Sequence, residues 1–420
     1  MGRQKHKFDY IDLFAGIGGF HQAMDSLGGK CVFASEIDEK CRNIYSMNFP
    51  KTPIKGDIRE CNPQDVGDYS VVCAGFPCQP FSKAGKQYGF KDEKSGNLFF
   101  EMLRFIKNPN VKFIILENVR NLADKDDNWR IIQDKLNELD FCITRDPLII
   151  SPTFYNIPQL RQRVYILGIR NSCKDETKLK NASYVSREDL GFDSNFFTCK
   201  CNNKDAFSIC QKKVLNKYVI SDELREVIDA WDNFREGTHI TTLGFPVWIS
   251  CFGAGIDNDD VFHRKIGYEK MKDWKKRFVD HNRELYLSNR QFIDDWLIRY
   301  NMQARIKIHQ KFEWNCGTDC EGAKDALIQF RQSGVRFKRP DYYPSLVAMT
   351  SNVPVIWDKT KNMYRYLTPR EESRLQSFKP EYKLTGTDST LYHQFGNSVN
   401  VCVIKDLAER LFRLERGKDR

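Results

Sequence analysis

The chain has 420 residues, with 66 Lys and Arg against 56 Asp and Glu, a formal net charge of +10 and a pI near 8.8. That length exceeds one ordinary domain and implies a large domain carrying a second, while the basic balance favours a polyanionic partner. No apolar run reaches the ~20 residues of a membrane span, residues 1–7 lack a signal-peptide core, and 14 cysteines in so large a chain read as reduced, intracellular thiols. Cys199-Lys200-Cys201 with Cys210, and Cys316 with Cys320, fit no standard zinc spacing, so no metal is assigned.

In chain order, residues 9–14 form a short strand, and Ala15-Gly16-Ile17-Gly18-Gly19-Phe20 turns it into a helix that runs to Leu27. Glycines there let the backbone come close to a ligand. A second strand over 30–35 ends at Glu36-Ile37-Asp38, and a helix over 39–47 follows. An acid about twenty residues after the glycines is placed to bind ribose hydroxyls. The order Gly16-x-Gly18-Gly19 lacks the third glycine of a pyrophosphate-binding turn, so a nucleoside without phosphates fits better. An edge strand near Ile54 leads to Gly56-Asp57-Ile58, again an acid at a strand end.

The apolar run 70–74 predicts a buried strand that delivers Gly75-Phe76-Pro77-Cys78-Gln79-Pro80-Phe81-Ser82 to the carboxyl edge of the sheet, where open α/β sheets carry their chemistry. Pro77 and Pro80 fix φ and remove two donors, so the loop is neither helix nor ladder. A lone cysteine is more often a small buried hydrophobe; here the rest of the chain supplies what a nucleophile needs. Residues 83–95 read as a mobile segment able to close over a ligand. A helix over 97–106 and a strand over 112–116 then bring Glu117-Asn118-Val119 to the same edge, as a paired acid rather than a helix cap.

A helix over 129–139 and a strand over 141–150 precede Pro158-Gln159-Leu160-Arg161-Gln162-Arg163 and a strand over 164–169. Arg161 and Arg163, at i and i+2, share a face and suit a phosphate or a base carbonyl, against a plain solvated edge. From Asn171 the α/β period stops. The region to Arg339 carries the basic clusters Arg264-Lys265, Lys270-Met271-Lys272, Lys275-Lys276-Arg277 and Arg336-Phe337-Lys338-Arg339. Interleaved Trp248, Trp274, Trp296, Tyr300 and Trp314 suit a nucleic-acid surface, although many must form the region's own core. Pro369 opens a helix with acids in its first turn, and Gln394-Phe395-Gly396-Asn397-Ser398-Val399 leads into a last helix over 401–414.

On these residues the chain resembles the DNA (cytosine-5) methyltransferases of the bacterial restriction-modification type, from residue 9 to 414 and with the motifs in that family's order. The resemblance rests on the stretches 12–20, 75–82 and 117–119, Gln159-x-Arg161-x-Arg163, Arg365-x-Leu367-Thr368-Pro369-Arg370-Glu371, and 394–399. It implies a class I, Rossmann-like, S-adenosylmethionine-dependent α/β domain, mainly parallel and discontinuous, over 1–185 and 389–420, with a smaller target-recognition domain inserted over 186–388. The donor pocket it implies takes Phe14, Ala15, Gly16 and Gly18 for the amino-acid part, Glu36 for the ribose, and Asp57 and Ile58 for the adenine. Pro77, Leu98, Asn397 and Val399 complete that pocket. Ile37, where many relatives carry a tryptophan, is also expected in that pocket, at the adenine edge.

The implied chemistry starts from C5 of cytosine, a poor nucleophile until a covalent bond at C6 enriches the ring. Cys78 is the expected attacker, Glu117 the donor to N3, Arg163 the partner of O2, and Arg161 an orienter of Glu117 or a phosphate contact. The base must leave the stack, so duplex DNA is the expected partner. Ser82, Gln79, Arg336 and Lys338 are expected to touch it. The family further suggests a monomeric, cytoplasmic, nucleoid-associated bacterial enzyme without a regulatory N-terminal domain, paired with a restriction endonuclease. Rival readings are a tRNA methyltransferase on the same scaffold, a catalytically silent DNA-binding homologue, and a nicotinamide dehydrogenase.

Overall fold

The computed structural model describes residues 6–77, 96–124, 126–181, 183–197, 206–253, 259–347 and 352–415. Cys78, Gln79, Ser82 and the 83–95 segment lie outside the described residues. The chain divides into two compact units, one of Met1–Lys204, Pro344–Ala348 and Pro369–Arg420, the other of Asp205–Tyr343 and Met349–Thr368.

The first unit begins with β1 (Phe8–Leu13), α1 (Gly19–Ser26), β2 (Gly29–Ser35), α2 (Glu39–Asn48) and β3 (Ile54–Lys55). β4 (Val71–Gly75), α3 (Gly96–Ile106), β5 (Phe113–Val119) and α4 (Asp126–Asn137) follow, then β6 (Phe141–Ile143), β7 (Leu148–Ile150) and β8 (Arg163–Arg170). Among the described residues these eight strands make one sheet, ordered β3-β2-β1-β4-β5-β8-β6, with β7 also on β8. β3 through β5 run parallel, and β8 closes the edge antiparallel to β5. Parallel strands covered on both faces need continuous apolar runs, and Val71-Val72-Cys73-Ala74 and Phe113-Ile114-Ile115-Leu116 supply them, all buried.

One predicted strand is split. In place of a single element over 141–150, β6 and β7 lie end to end along β8, pairing with Gly168–Arg170 and Arg163–Tyr165 respectively. Between them Thr144 turns aside to bridge Val185, and Pro147 offers no backbone donor to a ladder.

The second unit holds α5 (Asp222–Gly237), β9 (Val247–Trp248), α6 (Asp259–Ile266), α7 (Asp273–Ser288) and α8 (Arg290–Arg299). Its other strands are β10 (Lys311–Asn315), β11 (Leu327–Arg331), β12 (Gly334–Lys338), β13 (Val355–Asp358) and β14 (Met363–Tyr366), in the order β9-β10-β12-β11-β13-β14. Aromatic residues make its core: the Trp231 ring stacks on Phe312 at 4.8 Å and on Phe234 at 5.4 Å, and Trp296 donates from Nε1 to Ala230 O at 2.8 Å. Of the aromatics named for a nucleic-acid surface, Trp296 and Trp314 are therefore interior, and Trp274 is 50% exposed.

The chain returns to the first unit with α9 (Pro369–Leu375), α10 (Asp388–Asn397) and α11 (Val401–Phe412). The division falls at 204/205 and 368/369, not at 185/186 and 388/389 as the sequence suggested. Local bonds explain the second difference. Tyr382 donates from Oη to Ile17 O at 2.6 Å and Lys379 N to Gln22 Oε1 at 3.1 Å, so the stretch before α10 is already fastened to α1 and the turn ahead of it. No helix of the described residues is long and apolar enough to cross a membrane.

Candidate active site

The carboxyl ends of β1, β2, β4 and β5 meet the returning segment at one edge of the first unit. After β1 the backbone takes positive φ at Phe14 (55°), Gly16 (53°) and Gly18 (84°), a region that side chains other than glycine rarely adopt. A Cβ at Gly18 would lie 2.3 Å from the Phe49 ring, whereas one at Gly16 would meet nothing within 4 Å. The turn is packed on one side and open on the other. Glu36, at the end of β2, accepts from Gly16 N through Oε2 and from Asp38 N through Oε1, both at 2.8 Å. Burial pushes its carboxyl up, and these two bonds oppose the rise. Each oxygen keeps a lone pair for a hydroxyl donor, so the residues fit a ribose.

Arg42, which the sequence did not single out, donates from Nη1 to Glu36 O at 2.9 Å and Ile37 O at 2.7 Å and fixes this corner. Phe14 and Leu98 pack against an apolar cluster that includes Ile58 and Phe76. Pro77 is half-buried just beyond it, and Ala15 is buried. Asp57 caps its own turn: it accepts from Arg59 N at 3.0 Å and pairs with the Arg59 guanidinium, which holds its carboxyl below the usual range. Beside it lies a cavity of about 350 Å³ lined by Val32, Phe33, Gly56, Asp57, Cys61 and Val66 among others. Ile37 is 66% exposed, and Asn397 is exposed at the end of α10. Val399 reaches the start of α1 and the end of β4, close enough that a Cβ at Gly19 would be 2.7 Å from its Cγ2 and one at Gly75 3.8 Å from its Cγ1.

Gly75 and Glu117 are partners in the β4–β5 ladder. Glu117 is buried and its Oε1 lies 3.1 Å from Arg163 Nε. Burial raises its carboxyl, and the charges of Arg163 and then Arg161 pull the other way. Asn118 donates from Nδ2 to Phe76 O at 3.1 Å and accepts from Val119 N at 2.8 Å. It thereby ties the end of β5 to the chain two residues before Cys78, a positioning role that its place beside a strand-end acid hinted at but did not specify.

Arg161 is held by backbone carbonyls. Its guanidinium is buried and donates to Leu346 O at 2.8 Å, Gly396 O at 2.9 Å and Ser398 O at 3.0 Å. A group held this way binds the returning segment to the sheet, and its charge reaches Glu117. Arg336 and Lys338 lie in the second unit, where Arg336 pairs with Glu313 at 3.0 Å and Lys338 with Asp341 while donating to Tyr342 O at 2.9 Å. Each is paired within the chain, although Glu313 also serves Arg331 at 2.8 Å and Lys311 at 3.5 Å.

The sheet, the glycine turn, and Glu36 and the buried Glu117 at strand ends define an open, mainly parallel α/β fold of the Rossmann-like class. The sequence profile of the C-5 cytosine-specific DNA methylases matches residues 8–413, and the chain belongs to that family. It is 32% identical to the type II methyltransferase M.HgiCI of Herpetosiphon aurantiacus, over 96% of this chain and 97% of that protein. To the type II methyltransferase M.BanI of Aneurinibacillus aneurinilyticus it is 30% identical, over 97% and 96%. Its fold is similar to that of a DNMT2 variant from Spodoptera frugiperda, with a TM-score of 0.56 and 18% identity, over 97% of this chain and 100% of that one.

Proposed function

We propose that this chain transfers a methyl group from S-adenosylmethionine to C5 of a cytosine flipped out of duplex DNA at a defined sequence. The observation that carries the residue roles is the pairing of half-buried Arg163 with buried Glu117, which lies in register with Gly75 at the strand end that runs toward Cys78. S-adenosylmethionine, when bound, supplies an electrophilic methyl group, and the glycine turn, Glu36 and the cluster of Phe14, Ile58 and Leu98 are the residues that would hold it.

The remaining work belongs to side chains. Cys78, as thiolate, adds to C6 and makes C5 electron-rich. A free thiol with a pKa of about 8.5 is only slightly ionised at neutral pH, so the addition is coupled to protonation at N3. Glu117, its carboxyl raised by burial, donates that proton while its other oxygen accepts from the exocyclic amine, a pattern that thymine lacks. Arg163 holds Glu117 in place and offers its remaining N–H groups to O2. Once C5 carries the methyl group, the N3 proton returns to Glu117, the C5 proton leaves to a base and the C6–sulfur bond breaks, which restores the aromatic ring, the acid form of Glu117 and the thiolate. Extrusion of the base costs a few kcal/mol, offset by contacts to the flipped nucleotide and its phosphates. We assign target recognition to the second unit.

The test is incubation with methyl-labelled S-adenosylmethionine and, in parallel, mixed-sequence duplex DNA or tRNA, with the labelled DNA mapped by bisulfite sequencing. Label at one DNA sequence, abolished by Cys78→Ala, is expected. Label confined to tRNA, or full activity in the Cys78→Ala chain, would overturn the proposal.

A further inference from the structure

We propose that the basic face formed by the end of α6, the turn Tyr268–Lys270 and the start of α7 grips the phosphate backbone of duplex DNA without reading its sequence. The inference rests on DNA being the substrate. Residues 264–277 hold seven Lys or Arg against Glu269 and Asp273, a net of five positive charges and half of the chain's +10. Their placement works against the helix that carries them. Lys272 is the N-cap of α7 and offers no side-chain cap, with Lys275, Lys276 and Arg277 just behind it. Cations at a helix N-terminus oppose the macrodipole, and a local rule broken without a visible structural gain marks a functional surface.

Most of these charges also lack internal neutralisation. Among the described residues, Lys276 reaches Glu269 only at 3.9 Å, and the side chains of Lys270, Lys272, Lys275 and Arg277 have no ion-pair partner. Arg336 and Lys338 of the same unit, by contrast, are both paired. Lys270, Lys272 and Arg277 are exposed. Beside Lys270 the surface is concave: a recess of about 500 Å³ is lined by His263, Arg264, Gly267, Tyr268, Glu269 and Lys270. His263 stacks on Tyr268 at 4.0 Å, and Tyr268 Oη is held by Asp280 at 2.9 Å. Trp274, half exposed, stands at the start of the helix. The unpaired Lys270, Lys272, Lys275 and Arg277, with flat rings beside them, match a sugar-phosphate chain, whose affinity comes from charge and whose sequence is not sensed.

The experiment compares the full chain with the triple variant Lys270→Ala, Lys272→Ala, Arg277→Ala. Anisotropy of labelled duplexes, one containing the methylated sequence and one unrelated, is read between about 50 and about 200 mM salt. The slope of log K against log salt should become shallower by about 0.9 for each phosphate no longer neutralised, up to about 2.7 for three, and equally for both duplexes. The methylated sequence and the rate at saturating DNA should not change. Charge-preserving replacements (Lys270→Arg, Lys272→Arg, Arg277→Lys) should restore the slope, and Lys405→Ala on α11 should leave it as it was. An unchanged slope in the triple variant, or an effect confined to the target duplex, would overturn the inference. A wild-type chain that labels no DNA would instead sink the methylation reading on which it rests.

Discussion

In the proposed reaction Glu117 must be protonated to act, and the structure raises its carboxyl in a way that has a definite sign. Burial disfavours the anion, and Arg163 and Arg161 offset part of that, so more of the acid form survives toward neutral pH than in an ordinary carboxyl of about 4.3. Single-turnover methylation should therefore fall as pH rises through the Glu117 pKa. Glu117→Gln removes the proton donor, and a loss of about 10²–10⁴ in rate is expected, together with disappearance of that alkaline decline; a variant with the wild-type pH profile would show that another group donates. The linkage to stability has the same origin. A carboxyl whose folded pKa is raised costs stability progressively above its unfolded value, so the variant's urea midpoint should drop less between acid and neutral pH than the wild type's. Glu117 and Arg163 were legible because each lies at a strand end within a short motif. Arg161 was not, since Leu346, Gly396 and Ser398, which bind it, are remote in sequence and nothing local announces them.

At the scale of elements, the turn after β1 explains why three of its residues take a left-handed backbone. Gly18 is the least replaceable of them, because its φ of 84° already excludes most side chains and an added Cβ would lie 2.3 Å from the Phe49 ring. Phe49 cannot simply rotate away, as it is stacked on His21 at 3.7 Å. Gly18→Ala is expected to cost about 1–3 kcal/mol in urea denaturation and to weaken donor binding measured by calorimetry. Gly16→Ala, with open space at its Cβ, should lose donor affinity with a smaller effect on stability. Equal effects at the two positions would mean that the open side of the turn faces no ligand. The parallel core was readable from its apolar runs, while the break at Thr144–Pro147 was not, because a strand's continuity is set by the neighbour that pairs with it. Boundaries suffered similarly: α9 belongs with the first unit through bonds made by Lys379 and Tyr382, beyond its own end.

For the whole molecule, discontinuity makes folding of the first unit depend on its last segment. On α11, Val403, Ile404, Leu407 and Leu411 are fully buried, and Phe412 sets its ring against Phe8 at 5.2 Å and Phe113 at 4.7 Å. Tyr155 Oη donates to Asp406 at 2.8 Å from the far side of the insertion in sequence. Burial of each large aliphatic side chain contributes about 1.5–3 kcal/mol, so α11 carries a share comparable with the ~5–15 kcal/mol net stability of a whole domain. A fragment ending at residue 204 should therefore lack a cooperative urea transition by circular dichroism, although it holds every strand of the sheet. Within the full chain, Leu407→Ala should destabilise by about 2–5 kcal/mol. The signals separate, because Trp129 is the only one of the seven tryptophans in the first unit and fluorescence chiefly reports the second. Loss of donor binding should accompany the shift by circular dichroism. If the 1–204 fragment instead folded cooperatively and bound the donor, α11 would be a covering on a finished core, and the chain's return after the insertion would serve the position of Val399 alone.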